Sequence, residues 1–233
     1  MAEKKRPNRL IAVLLWLLCA AVFLPMVFVI MNSFKTFGQV VMEPLALPEA
    51  WNLDNFKEVM NPGHYAKIFG NTIYFAVLSG VIVIGLGAMA GYKLARMNNK
   101  IGHITSVVFM IAMMLPFPVI MIPLAVTASD LHITNNLTLI SVLNAGFSCS
   151  LAVIMYTQAV KSIPRELDEC AYMDGCSGYR FFFQIIFPLL KPINGTVAVL
   201  YFIRYWNDLM LPMILISKKE LYTIPLSQLA FYN

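Results

Sequence analysis

The chain has 233 residues, of which 59% are hydrophobic and 12% are charged, whereas soluble domains carry about 25% charged residues. One water-soluble core of this size cannot bury so much apolar surface, so the composition excludes an ordinary soluble domain and indicates a lipid-covered surface. The net charge of +5 does not indicate nucleic-acid binding, because the basic residues lie at the ends of apolar runs and are not interleaved with exposed aromatic residues.

Five apolar stretches are long enough to cross a bilayer as helices. A hydrocarbon core of about 30 Å requires roughly 20 helical residues, with every backbone polar group bonded internally. The sequence therefore predicts an all-α, polytopic membrane protein that forms a single membrane domain over residues 1–233. The predicted spans are residues 10–31, 72–92, 104–128, 137–160 and 193–216.

The first stretch follows a basic tail, as the apolar segment of a signal peptide does. It continues to Met31, however, and shows no clear small-residue cleavage site. We predict a retained membrane anchor.

The distribution of basic residues predicts the orientation. The amino-terminal tail and the segments 93–103 and 161–192 contain eleven Lys and Arg residues, and the alternate segments contain five. Because positive residues favour the cytoplasmic side, we predict that the amino terminus and the 161–192 loop are cytoplasmic and that loop 32–71 faces outward.

The third stretch contains Pro116, Pro118 and Pro123. Each proline removes a backbone donor, so the sequence predicts a broken or strongly kinked helix that faces the interior of the bundle. A purely structural kink and a role in lining or gating a pathway both remain open.

The cytoplasmic loop has the pattern of two short helices. A first helix is predicted to begin at Pro164 and to stop at Gly175, with Glu166, Asp168 and Glu169 near its positive end. A second helix is predicted over residues 177–187, after which Pro188 and Pro192 turn the chain towards the membrane. The first helix either inserts into a groove of a partner protein or lies on the membrane surface.

The fifth stretch carries charged and aromatic residues. Arg204 and Asp208 are four residues apart, so they form either a structural ion pair or a direct contact with a ligand. Tyr201, Tyr205 and Trp206 serve either in packing or in stacking on a ligand ring. Cysteines and histidines show no metal-ligand spacing, so no metal site is predicted.

The segment Glu169-Cys-Ala-Tyr-Met-Asp-Gly175, with Pro188-Leu-Leu-Lys-Pro192, resembles the EAA loop of permease subunits of binding-protein-dependent ATP-binding-cassette (ABC) importers. Other segments resemble the carbohydrate branch of that family, the permeases for maltose and other oligosaccharides, and the resemblance extends over the whole chain. These segments are Gly91-Tyr-Lys-Leu-Ala-Arg96, residues 115–124, Trp206-Asn-Asp208 and Thr223-Ile-Pro225.

The resemblance implies a type I ABC importer transmembrane domain whose loop carries a coupling helix for the ATPase. The ATPase-coupling residues that it implies are Glu166, Glu169, Cys170, Ala171, Asp174 and Gly175. Residues proposed for the substrate or its pathway are Pro116, Pro118, Tyr205, Trp206, Asn207 and Asp208.

The resemblance also implies partners: a second permease subunit, an ABC ATPase dimer, an extracytoplasmic sugar-binding protein and membrane lipid, but no nucleic acid. The chain has no GxxxxGK[ST] motif and is not expected to be an enzyme. It is expected to bind no cofactor, while ATP and Mg are used by the partner ATPase. The implied function is sugar import across a prokaryotic cytoplasmic membrane by alternating access; a polyol or other small solute, or a membrane scaffold, are the alternatives.

The family usually has six spans and a cytoplasmic carboxyl terminus. This sequence stops seventeen residues after Ile216, so we expect a sixth span to be missing by truncation. A version with that span is expected to melt at a higher temperature in detergent.

Loop 32–71, with Pro44, Pro48, Trp51 and Pro62, is predicted to contribute to the docking surface for the binding protein. Deleting Pro44–Trp51 should then weaken the affinity of the binding protein for the reconstituted importer. An unchanged dissociation constant would contradict this prediction.

Overall fold

The computed structural model describes residues 9–60 and 62–230, which contain helices and connecting segments but no β-strand. This confirms the predicted all-α class. The chain divides into two compact units, residues 1–65 and residues 66–233.

The first unit begins with a long apolar helix and continues with two short ones. The helices are α1, Arg9–Ser33, α2, Phe37–Met42, and α3, Asp54–Val59. No residue of α1 is buried, as expected of a helix whose apolar side chains are compatible with lipid.

The segment that follows α1 in the first unit is held together by contacts among residues 34–51. The buried Lys35 directs Nζ to the carbonyl oxygens of Glu43 and Pro44, at 2.9 and 3.3 Å. The ring of Phe34 packs edge-on against Trp51, with centroids 5.0 Å apart. These contacts hold much of the predicted docking loop against the end of α1.

The remaining helices follow one another with short connections. They are α4, Pro62–Arg96, α5, Lys100–Met114, α6, Phe117–Asp130, α7, Leu137–Lys161, α8, Glu166–Met173, α9, Gly178–Phe181, a π-helical turn, Phe182–Ile186, α10, Phe187–Leu189, α11, Lys191–Trp206, α12, Met210–Leu215, a 3₁₀ turn, Lys219–Leu221, and α13, Ile224–Ala230.

Three helices are long and apolar enough to cross a membrane: α1, α4 from Tyr65 onward, and α7. Two bent pairs pass the same test, which makes up to five spans within the described residues. One pair is α5 with α6, bent by 97° at Leu115 and Pro116. The predicted break in the proline-rich stretch is therefore present.

The fifth predicted stretch differs from a single helix. α11 ends at Trp206, and α12 begins at Met210. The Asp208 carboxylate accepts a hydrogen bond from the backbone N–H of Leu211 at 3.5 Å. This side chain therefore takes a backbone donor that a continuous helix through residues 206–210 would use itself. A further bend of 77° separates residues 178–189 from α11, and it lies between Pro188 and Pro192, which both occupy first-turn positions.

Two glycines allow α4 to approach α7 closely. A Cβ atom on Gly91 would lie 2.5 Å from Tyr156 Cβ and 3.0 Å from the Thr157 amide nitrogen, and one on Gly87 would lie 3.0 Å from Ala152 Cβ. Small residues four apart permit such backbone contact between membrane helices. Gly91 belongs to the segment that resembles the carbohydrate permeases.

A row of polar contacts joins α7 to the α11–α12 region. Asn144 Nδ2 donates to Asp208 Oδ2 at 3.0 Å, and the Tyr201 hydroxyl donates to the Ser148 carbonyl at 2.7 Å. The Ser148 hydroxyl also contacts the Tyr205 hydroxyl. Because lipid offers no replacement partners, these contacts fix the register of the two segments.

Replacing Gly91 by Ala should destabilise the protein by about 1–3 kcal/mol, because the new methyl group overlaps the α7 backbone. Unfolding of the detergent-solubilised protein by SDS measures the change. Gly85→Ala is the matched control, since nothing lies within 4 Å of its added Cβ. Equal stability of the two variants would contradict the close α4–α7 contact.

Candidate functional site

The helix α8 is fastened to the end of α4 by one carboxylate. Asp168 Oδ2 lies 2.7 Å from Arg96 Nη2, and Asp168 Oδ1 accepts from Arg96 Nε at 3.2 Å. The Tyr92 hydroxyl donates to the same Oδ1 at 2.6 Å. A two-point Arg–carboxylate contact constrains direction as well as distance, so α8 is held in a defined orientation.

Arg96 also ties down the segment that leads into α8. Its Nη1 donates to the carbonyl oxygen of Ile163 at 3.1 Å. The Arg96 side chain is 14% exposed and that of Asp168 is 24% exposed, so solvent screens this pair less than an open surface pair. Arg96 thus binds both the approach to α8 and α8 itself.

The end of α8 is closed as the sequence predicted. Gly175 has a φ of 70°, in the left-handed region that favours glycine. The Cys176 N–H donates to the Ala171 carbonyl at 2.9 Å, and the Gly175 N–H donates to the Tyr172 carbonyl at 3.1 Å. These two bonds form a Schellman motif, which confirms Gly175 as the helix stop. The helix begins at Glu166 with Arg165 as its N-cap, so Pro164 precedes it rather than lying in its first turn.

The second part of the loop packs on the same tyrosine. Phe181 and Phe182 are buried, and their ring centroids lie 6.3 and 5.7 Å from that of Tyr92. Tyr92 therefore contacts α8 through its hydroxyl and the following helical segment through its ring. Both halves of the loop are positioned from α4.

Most of the coupling residues implied by the resemblance lie on the open surface of the loop. Ala171 is the exception, because it is buried at 7% exposure within this chain. The exposed members are Glu166, Glu169, Cys170, Asp174 and Gly175.

Sequence reasoning missed two prominent residues of this surface, Tyr172 and Tyr179, which are 85% and 80% exposed. Their aromatic rings beside charged residues of the loop were a usable signal. Met173, an apolar residue that favours insertion of this helix into a groove, is 78% exposed. The ion pair of Arg96 with Asp168 was also missed, because no sequence rule pairs residues that lie so far apart in the chain.

The bend between α5 and α6 borders a cavity within the membrane-spanning part. The cavity has a volume of about 290 Å³, and its lining includes Leu115, Phe117, Ser148, Ser150 and Arg204. Pro116 and Pro118 are exposed and alternate with the lining residues Leu115 and Phe117. The cavity lining thus combines apolar residues with two serines and an arginine.

The residues at the end of α11 do not form one group. Of the two alternatives for Arg204 and Asp208, the ion pair is not formed: among the described residues these side chains have no N–O distance of 4.0 Å or less. Asp208 instead accepts a hydrogen bond from Asn144. Because α11 ends at Trp206, Asp208 no longer follows the helical spacing that would place it beside Arg204.

The aromatic residues of this region are engaged in packing. Tyr201 and Tyr205 are each 1% exposed, so neither presents an open ring face. Trp206 is half-buried and packs edge-on against Phe69 at 5.7 Å. Asn207 is exposed and its side chain donates to the Ile203 carbonyl at 2.8 Å, which stabilises the end of α11.

The bent and straight apolar helices, with a loop fixed at the end of α4, define a multi-pass α-helical membrane protein. Residues 83–232 match the family model of the binding-protein-dependent transport system inner membrane component. The chain belongs to this family of transport permeases.

Curated relatives extend the match over most of the chain. The probable starch degradation products transport system permease protein of Thermoanaerobacterium thermosulfurigenes is 36% identical over 90% of this chain and 76% of the relative. The arabinooligosaccharides transport system permease protein of Bacillus subtilis is 31% identical over 87% and 73%. The multiple sugar-binding transport system permease protein of Streptococcus mutans is 31% identical over 89% and 76%.

Replacing Asp168 by Ala should free α8 from α4. Hydrogen bonds to charged groups contribute about 1.5–3 kcal/mol, so amide hydrogen exchange in residues 166–173 should accelerate roughly 30-fold. Hydrogen exchange with mass spectrometry measures the change. Glu169→Ala, an exposed carboxylate on the same helix, is the control, and equal exchange in both variants would contradict the role of Asp168.

Proposed function

We propose that this chain is the sugar-conducting permease subunit of an ATP-driven importer in the cytoplasmic membrane of a prokaryote. Membership in the binding-protein-dependent family supports import with the aid of a separate binding protein. The relatives named for starch degradation products, arabinooligosaccharides and multiple sugars support a sugar or oligosaccharide as cargo. The proposal depends above all on one observation: α8 is a capped helix, fastened to α4, that exposes Tyr172 and Met173.

The partner of α8 in this proposal is an ABC ATPase dimer that hydrolyses ATP with Mg. An exposed aromatic and a Met beside the carboxylates Glu166 and Glu169 suit insertion into a cleft with apolar and basic walls. Ala171 supports this contact indirectly, because its small side chain allows α8 to pack closely on the rest of this chain. A second permease subunit completes the translocation pathway.

The orientation in this proposal follows from the basic residues. α4 ends with Lys93 and Arg96, and α7 ends with Lys161, at the same end of the bundle as the 161–192 loop. Positive residues are concentrated on the cytoplasmic side of membrane proteins. This end and the amino terminus are therefore cytoplasmic, and the opposite end receives the sugar-binding protein.

Movement of α8 supplies the mechanism. A displacement by the ATPase is transmitted through Asp168 to Arg96 and through Phe181 and Phe182 to Tyr92, so α4 moves with the loop. Since α4 contacts α7 at Gly87 and Gly91, the displacement reaches the helix that carries Ser148 and Ser150. These hydroxyls and Arg204 border the cavity at the α5–α6 bend, which we assign to the sugar pathway.

The double variant Tyr172→Ser with Met173→Ser should lose the ATPase. Loss of two exposed anchors at an interface typically costs several kcal/mol, so recovery of the ATPase with the affinity-purified permease should fall more than tenfold. Leu131→Ser is the control, because Leu131 is 63% exposed and lies in the segment between α6 and α7. Equal ATPase recovery with both variants would contradict the coupling role of α8.

Uptake by cells that express the unaltered permease or the double variant tests the cargo. Cells that carry the unaltered permease should accumulate labelled maltooligosaccharide or raffinose, and cells with the double variant should not. Uptake of mannitol without either sugar would replace the sugar assignment by a polyol.

A further inference from the structure

A second cavity lies at the end of the bundle that carries the 161–192 loop. Its volume is about 1120 Å³, and it is bounded by the end of α4, the first turn of α5, the end of α7 and the segment leading into α8. It is separate from the cavity at the α5–α6 bend, since no lining residue is shared. Of the coupling residues implied by the resemblance, Glu166 alone lies in its lining, so the cavity adjoins the coupling surface and is not part of the proposed sugar pathway.

Basic side chains dominate the charge of this cavity. Lys100, Lys161 and Arg165 line it, and none of these three forms an ion pair with any described residue. Arg96 also reaches the lining, but its charge is matched by Asp168. Glu166 is the one carboxylate in the described lining, so the cavity attracts an anion.

The cations lie where apolar helices end. Lys100 is the first residue of α5, and Lys161 is the last residue of α7. In a bilayer this is the level of the lipid headgroups, and basic pockets between membrane helices bind anionic headgroups. The position therefore favours a ligand that reaches the cavity from the membrane.

Part of the cavity lining is apolar. Leu94, Met97 and Ile104 contribute to it, and Ile104 is 60% exposed. A soluble phosphate compound would use the cations and leave these apolar side chains in water. A phospholipid offers groups for both, since its phosphate suits the cations and the start of its acyl chains suits the apolar residues.

We propose that this cavity binds the phosphate-bearing headgroup of an anionic phospholipid. The lipid bridges α5, α7 and the entry to α8 at a point where like charges would otherwise repel one another. Bound there, it stabilises the arrangement of helix ends from which the loop projects. The cavity is thus a lipid site beside the loop.

The test is titration of the purified permease, with the partners that accompany it, with phosphatidylglycerol in detergent, followed by native mass spectrometry. The unaltered protein should bind phosphatidylglycerol and not phosphatidylcholine. The double variant Lys100→Gln with Lys161→Gln should bind phosphatidylglycerol about 30-fold more weakly. Lys93→Gln, an exposed cation near the end of α4 that lies outside the cavity lining, should bind it as the unaltered protein does.

Equal affinity of the double variant and the Lys93→Gln control would overturn the proposal. Glycerophosphoglycerol, the headgroup without acyl chains, is the soluble competitor, and competition at the same concentration as the lipid would overturn the lipid as ligand in favour of a soluble phosphate. Release of the ATPase by the double variant with unchanged lipid affinity would assign the cavity to the ATPase instead.

A second measurement needs no variant. Binding that depends on exposed cations weakens as salt rises, because the Debye length falls from about 10 Å at 0.1 M to about 3 Å at 1 M. Phosphatidylglycerol affinity of the unaltered protein should therefore fall several-fold over this range. A constant affinity would overturn the proposal.

Discussion

The position of the 161–192 loop depends on the contact of Asp168 with Arg96. A short helix of eight residues has little stability of its own, so α8 requires an external support. The support comes from the Asp168 carboxylate, which contacts the Arg96 guanidinium and accepts a hydrogen bond from the Tyr92 hydroxyl. Arg96 then reaches back to the Ile163 carbonyl, so one side chain fixes both the start and the direction of α8.

The bilayer imposes a different constraint on the rest of the chain. Within lipid a polar side chain needs a protein partner, and Asn144, Ser148 and Tyr201 find theirs between α7 and the α11–α12 region. The α4–α7 contact is of another kind: glycines at 87 and 91 let the two helices pack closely. The bends at Leu115 and Leu190 occur where prolines had already removed donors.

Much of this architecture follows from the sequence alone. Length and hydropathy predict the membrane helices, because the bilayer sets a minimum length that few other structures require. Three prolines within one stretch predict its break, and Gly175 predicts the end of α8, because a left-handed turn excludes most other residues. These features are local, and local chemistry decides them.

The features that sequence reasoning missed depend on distant parts of the chain. Arg96 and Asp168 are 72 residues apart, and no spacing rule pairs them. Arg204 and Asp208 have helical spacing, yet Asp208 binds Asn144 because α11 stops first. The small side chain of Ala171 is typical of a residue that contacts a partner helix. The orientation of α8, however, buries Ala171 within its own chain.

The contacts between α7 and α11 also bear on how the protein is made. Asn144 and Ser148 are synthesised before the residues that complete their hydrogen bonds, which lie some sixty positions later at Tyr205 and Asp208. A helix with unmatched polar groups partitions poorly into lipid. Until α11 has been synthesised, α7 therefore carries polar side chains that lack the partners they have in the folded protein.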